Sequence, residues 1–148
     1  MTKHLLKDLL EQNQKTCSFT FKEITQNNSS LKLNEDTASV GFMYRHIGEI
    51  MHLISQFFGI PTTVQNTTMG EKDTGKVYQW EESKKLVEEG YQLLENLIEN
   101  LSEKEWTETI DTPFFGSISR VKLFGHILYH NSYHCGQITL TLKRGSYL

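Results

Sequence analysis

Apolar residues along the chain recur mainly at helical spacing. Leu5, Leu6, Leu9 and Leu10 fall at i, i+1, i+4 and i+5, on one side of a first helix that begins at Thr2 or Lys3 and fades near Lys15. Residues 17–35 are polar and mixed around Asn27-Asn28-Ser29-Ser30 and read as a long loop, with a brief extended segment where Phe19 and Phe21 alternate. A second helix is predicted from Asp36 to Phe58, with Asn34 or Asp36 as N-cap and Gly59 then Pro61 as its stop. Residues 60–77 carry no period and form a second long connection. A third helix spans Tyr78 to Leu101, with Val87, Leu94, Leu97, Ile98 and Leu101 as its stripe. Ser102 and Glu105 have the spacing of a capping box, opening a short turn that carries Trp106. Thr112-Pro113-Phe114-Phe115-Gly116 is a turn, and the last helix runs from Ser117 or Ser119 to Lys143, ended by Gly145.

Four amphipathic helices imply an all-α fold, a four-helix bundle with long connections after the first and second helices. No repeat, linker or low-complexity segment divides the 148 residues, so residues 1–148 read as a single domain. Lys and Arg number 15 against 18 Asp and Glu, a balance that speaks against a general nucleic-acid binder. No apolar run reaches the roughly 18 residues a membrane helix needs, and charges interrupt the N-terminal leucines, so neither a membrane span nor a secretory leader is expected. The expected compartment is the cytoplasm, where the triplets at Asn28 and Asn66 go unglycosylated and Cys17 and Cys135 remain free thiols.

The chemistry lies in the histidines. At about 100° per residue, His46 falls inside the apolar arc formed by Phe42, Met43, Ile47, Ile50, Leu53 and Ile54, whereas His52 falls beside Arg45 and Gln56 and is expected to face water. On the last helix His130 and His134 sit one turn apart on the inward edge, and His126 turns away. Imidazoles at i and i+4 can point at one ion, and a third from a neighbouring helix completes three nitrogen ligands. Inward histidines hydrogen-bonded within a core remain the competing reading. Against it stands the cost of burying three unpartnered imidazoles, roughly 1–3 kcal/mol for each polar group left without a partner.

The second helix reads SVGFMYRHIGEIMHLISQFFG and the last reads LFGHILYHNSYHCGQITLTLKRG. Together these resemble the DinB-like (DinB/YfiT) metal-binding four-helix bundles, in which a histidine of the second helix joins a late H-x-x-x-H pair followed by Gly-Gln-Ile or similar. His46 matches the first position, His130 and His134 the pair, and Gly136-Gln137-Ile138 follows. The resemblance implies up-down-down-up helix order, with residues 60–77 as the crossover. It implies a divalent ion, zinc or nickel, on His46, His130 and His134, with water completing the shell, and a homodimer. It also implies a small-molecule substrate. Relatives include bacillithiol- or mycothiol-dependent transferases, hydrolases and isomerases. The family often carries arginine before Gly-Gln, where this chain has Cys135, so a role for that arginine in holding an anionic substrate does not transfer.

The expected function is thus a metal-dependent thiol S-transferase of the bacillithiol type, or a hydrolase; the alternative is a non-enzymatic metal-binding stress-response protein. The catalytic residues are not assignable from sequence. Cys135 falls among apolar residues and reads as a buried, inert thiol. Glu49 lies three residues after His46 and is either a carboxylate supporting the ligands, a general base, or a solvated edge residue. Gln137 lines the pocket or is polar filler, and Asn131 and Tyr133 are helix surface.

Overall fold

A computed structural model describes residues 2–148. The described residues are mostly helical, with 61% of them in helix and one small sheet among them. Its elements are α1 (Thr2–Phe21), α2 (Val40–Ser55) running into a 3-10 turn (Gln56–Phe58), α3 (Trp80–Asn100), α4 (Glu103–Thr107), β1 (Thr109–Thr112), β2 (Gly116–Ser119) and α5 (Arg120–Arg144). Among the described residues no helix is long and apolar enough to cross a membrane.

Two helix boundaries differ from the sequence reading. The first helix does not fade at Lys15 but continues through Phe21, because its polar second half still meets α5: Asn13 Nδ2 donates to Leu128 O at 2.8 Å, and the Thr20 and Thr139 hydroxyls are 2.6 Å apart. Leu6, Leu10, Asn13 and Cys17 face inward, while Leu5 and Leu9 are exposed, so the four leucines do not share one buried side. The second helix starts at Val40, not Asp36. Its N-cap is Ser39, whose Oγ accepts from Phe42 N, while Asp36 and Thr37 are held in a local turn around Asn34. The stop at Gly59 is as expected; its φ of 88° is a left-handed conformation that favours glycine.

Gly48 and Gly90 let α2 and α3 approach closely. A Cβ on Gly48 would stand 3.0 Å from Leu86 Cγ, and one on Gly90 2.9 Å from Met51 Cβ. Since 48 meets 86–87 and 51 meets 90, α2 and α3 run in the same direction. Asn13 meets Leu128 and Ser132 while Thr20 meets Thr139, so α1 and α5 also run alike. With α3 on one side and α5 on the other, 12 of the 16 residues of α2 are buried. This explains a second correction: His52 does not face water. It is 8% exposed, and its Nε2 meets Leu86 O at 3.0 Å.

The capping box at Ser102 and Glu105 is present and delivers Trp106, fully buried, against Phe58 and Phe124. The turn at 112–116 proves to be the tip of an antiparallel hairpin, with Thr109 opposite Ser119. The C-terminus returns to the first connection, where Lys32 and Ser146 exchange two backbone hydrogen bonds.

Candidate metal centre

α2 and α5 bring three imidazoles to one level. The ring centroids of His46 lie 4.9 Å from those of both His130 and His134, which are themselves 4.4 Å apart. One nitrogen of each lies within 4.8 Å of the others, and the Nε2 atoms of His46 and His130 are 3.0 Å apart. His126 is outside this group; it is not turned fully to solvent, but its ring packs on Phe115 at 4.5 Å.

Hydrogen bonds decide which nitrogens face inward. The Thr68 hydroxyl donates to Glu49 Oε2 at 2.7 Å. With its proton committed, it can only accept from His46 Nδ1, 3.0 Å away, so His46 carries its hydrogen on Nδ1 and keeps a lone pair on Nε2. His134 Nδ1 donates to Gln137 Oε1 at 2.6 Å, which leaves its Nε2 free in the same way. His130 Nδ1 is buried without a hydrogen-bond partner.

Glu49 is neither a solvated edge residue nor a base reaching into the site. It is fully buried and accepts from Arg45 Nε at 2.8 Å, Thr67 N at 2.9 Å, Thr67 Oγ1 at 2.6 Å and Thr68 Oγ1. Burial alone would raise its pKa, but these donors outweigh that and hold the carboxyl below its ordinary value. The carboxylate thereby fastens the connection between α2 and α3 onto α2 and reaches the ligand set through Thr68. Thr67 and Thr68 carried no periodicity in the sequence and were not singled out there; a Thr-Thr pair in an aperiodic stretch gives no signal of its own.

The imidazoles are held neutral. Burial first, then the charge of His134, lowers His46 to about 4. Burial first, then His134, His46 and His126, lowers His130 to about 3. His134 is lowered by burial. Neutral imidazole is the form that ligates. Donors 2.0–2.1 Å from a tetrahedral centre stand roughly 3.3 Å apart, within the spread seen here, so the donor set fits a divalent ion.

His46 and His134 also line a cleft of about 430 Å³ together with Phe42, Met43, Thr68 and Gln137. Gln137 therefore does line the pocket. Of the remaining residues, Tyr133 is exposed as expected, whereas Asn131 is fully buried, its Nδ2 against Met51 Sδ at 3.3 Å. Cys135 is buried but not alone: it packs against Cys17 across α1 and α5, with its Sγ 3.9 Å from Cys17 O. The hydrogen bond with Cys135 first, and then burial, push the Cys17 thiol up. Both thiols are free and sit between helices, away from the cleft lining.

A family model described as the DinB superfamily matches residues 9–138. A solved structure of a conserved protein from Enterococcus faecalis is similar at TM-score 0.70 and 14% identity, covering 95% of each chain. A DinB-like protein from Bacillus subtilis is similar at TM-score 0.65 and 14% identity, covering 92% of this chain and 90% of that one. A DinB-like protein from Bacillus cereus is similar at TM-score 0.63 and 18% identity, covering 95% and 89%. At these identities the likeness is one of fold. No curated protein matches.

Proposed function

The chain belongs to the DinB superfamily, and from that premise we propose that it is a metal-dependent thiol S-transferase of the bacillithiol type or a hydrolase. Its metal would sit on His46, His130 and His134, in an up-down-down-up four-helix bundle. The observation that carries this reading is the convergence of three neutral imidazoles beside a cleft that two of them line. Three protein ligands leave coordination positions open, which is the catalytic rather than the structural arrangement. Zinc or nickel held there would supply Lewis acidity toward a thiol or water nucleophile.

The chain's own residues do the rest. Thr68 and Gln137 fix the outer nitrogens of two imidazoles, so neither ring has to reorient to present its lone pair. Phe42 and Met43 give the cleft an apolar wall that excludes water from one side. The proposal includes a cytoplasmic homodimer acting on a small molecule, without nucleic-acid or membrane partners.

The test is elemental analysis of protein purified without a histidine tag, followed by a screen of electrophiles and esters. Each is offered with bacillithiol, glutathione or no thiol, and metal-stripped protein serves as control. One equivalent of metal and metal-dependent turnover are expected. Absence of metal at full folding would refute the site; metal without turnover would favour a non-enzymatic metal-binding role.

A further inference from the structure

We infer that Cys17 and Cys135 close into a reversible disulfide when the protein meets a hydroperoxide, a covalent latch between α1 and α5 that goes beyond the proposed function. The chain's two cysteines lie 118 residues apart in sequence, and the fold brings them to one level of the α1–α5 seam. Asn13 meets Leu128 and Ser132 earlier along the seam and Thr20 meets Thr139 later, so the parallel helices pair 17 with 135 in register. The two thiols hydrogen-bond each other, and Cys135 Sγ lies 3.9 Å from Cys17 O. Packed helix axes stand roughly 8–10 Å apart and each Cα about 2.3 Å off its axis, so facing Cα atoms come within the roughly 4.4–6.8 Å that a disulfide spans. The latch needs no ion. Cys135 is turned about 100° from His134 around α5, and neither thiol lines the cleft beside the ligands.

Access is the second requirement. Cys17 is fully buried, but Cys135 keeps 6% of its surface exposed, and its setting is not wholly apolar. The Thr20 hydroxyl hydrogen-bonds the Cys135 thiol, and Thr20 and Thr139 are both half-buried at the seam. A molecule as small as hydrogen peroxide therefore reaches Cys135 past these two hydroxyls. Cys17 lies one turn from the end of α1, and helix ends open most readily. The chemistry balances in two steps. The Cys135 sulfur attacks the hydroperoxide, the O–O bond breaks, and the products are a sulfenic acid at Cys135 and water or an alcohol. The Cys17 sulfur then attacks the sulfenic sulfur, the S–O bond breaks, and the Cys17 proton leaves with the hydroxyl as water. The two thiols together give up two electrons, and the hydroperoxide takes them. A dithiol reverses the bond by exchange. The bond closes a long loop, so it stabilises the fold by constraining the unfolded chain.

The test treats full-length protein with hydrogen peroxide, quenches with catalase, and counts free thiols after denaturation, with intact mass read alongside. Both thiols are expected to disappear together, leaving a monomer about 2 Da lighter that dithiothreitol restores in full. The oxidised protein should unfold about 5 °C or more above the reduced one. Cys17→Ala and Cys135→Ala should each abolish both the mass loss and the rise in unfolding temperature. Two thiols still free after peroxide that oxidises cysteine in the same solution overturn the inference. So does sulfinic acid without a cross-link, a disulfide found only between molecules, or an oxidised form that unfolds no higher than the reduced one.

Discussion

The Thr68 hydroxyl stands between Glu49 Oε2, 2.7 Å away, and His46 Nδ1, 3.0 Å away. Its single proton goes to the carboxylate, so it fixes the His46 tautomer from outside the ligand set. Thr68→Val keeps the volume and removes this link. Metal affinity is expected to fall by about 10–100-fold, the usual effect of losing a partner behind a metal-ligating histidine. Thr68→Ser should bind nearly as the parent protein does. Chelator competition measures both; a valine variant with undiminished affinity would show that His46 needs no outer tether.

The histidines of α2 and α5 divide into two kinds. His46→Ala, His130→Ala and His134→Ala should each abolish stoichiometric metal binding while the helices persist. His52→Ala should leave the metal in place and instead lower stability by about 1–3 kcal/mol, because the ring's bond to Leu86 O and its packing between α2 and α3 are both lost. His126→Ala should change metal content little. Metal analysis paired with urea denaturation separates the classes, and metal loss in the His126 variant would redraw the ligand set.

The positions of His46, His130 and His134 were legible because each lies on the apolar side of a strongly periodic helix, where a polar ring stands out. His52 was misread for the same reason. A helical wheel assumes one wet face, and α2 has little of one once α3 and α5 flank it. The glycines that permit this, Gly48 and Gly90, lie in two helices far apart in sequence, and their pairing appears only when the helices are packed. The end of α1 was missed because Asn13 and Thr20 are polar, although they meet polar partners on α5. The hairpin strands are four residues each, too short for their alternation to register.

Close approach at Gly90 gives a third expectation. An added Cβ would stand 2.7 Å from Met51 Cε and 2.9 Å from Met51 Cβ. The methyl end of Met51 can swing aside, but its Cβ is fixed to the backbone of α2. Gly90→Ala should therefore cost about 1–3 kcal/mol by overpacking, despite the better helix propensity of alanine. Thermal unfolding checks the sign: stabilisation would mean that α2 and α3 do not pack at this distance.

The last expectation concerns acid. In the folded protein, burial first of all lowers His46 to about 4 and His130 to about 3, whereas an unfolded chain's imidazoles titrate near ~6.5. Between those values the unfolded chain holds protons that the folded one does not, so stability rises with pH across that window. The metal-free protein thus has the full contribution of these groups above about pH 6.5 and loses it as pH falls toward 4 and below. Glu49 and Asp73 are lowered as well, but their unfolded counterparts titrate near ~4, so their loss begins at lower pH and does not obscure the histidines. Urea midpoints of chelator-treated protein between about pH 7 and 5 isolate the imidazoles. A steady fall is expected, and metal release from loaded protein should follow the same direction, since protons compete for the same Nε2 lone pairs. A midpoint that holds constant or rises on acidification over that range would mean that the three rings are not held neutral by burial.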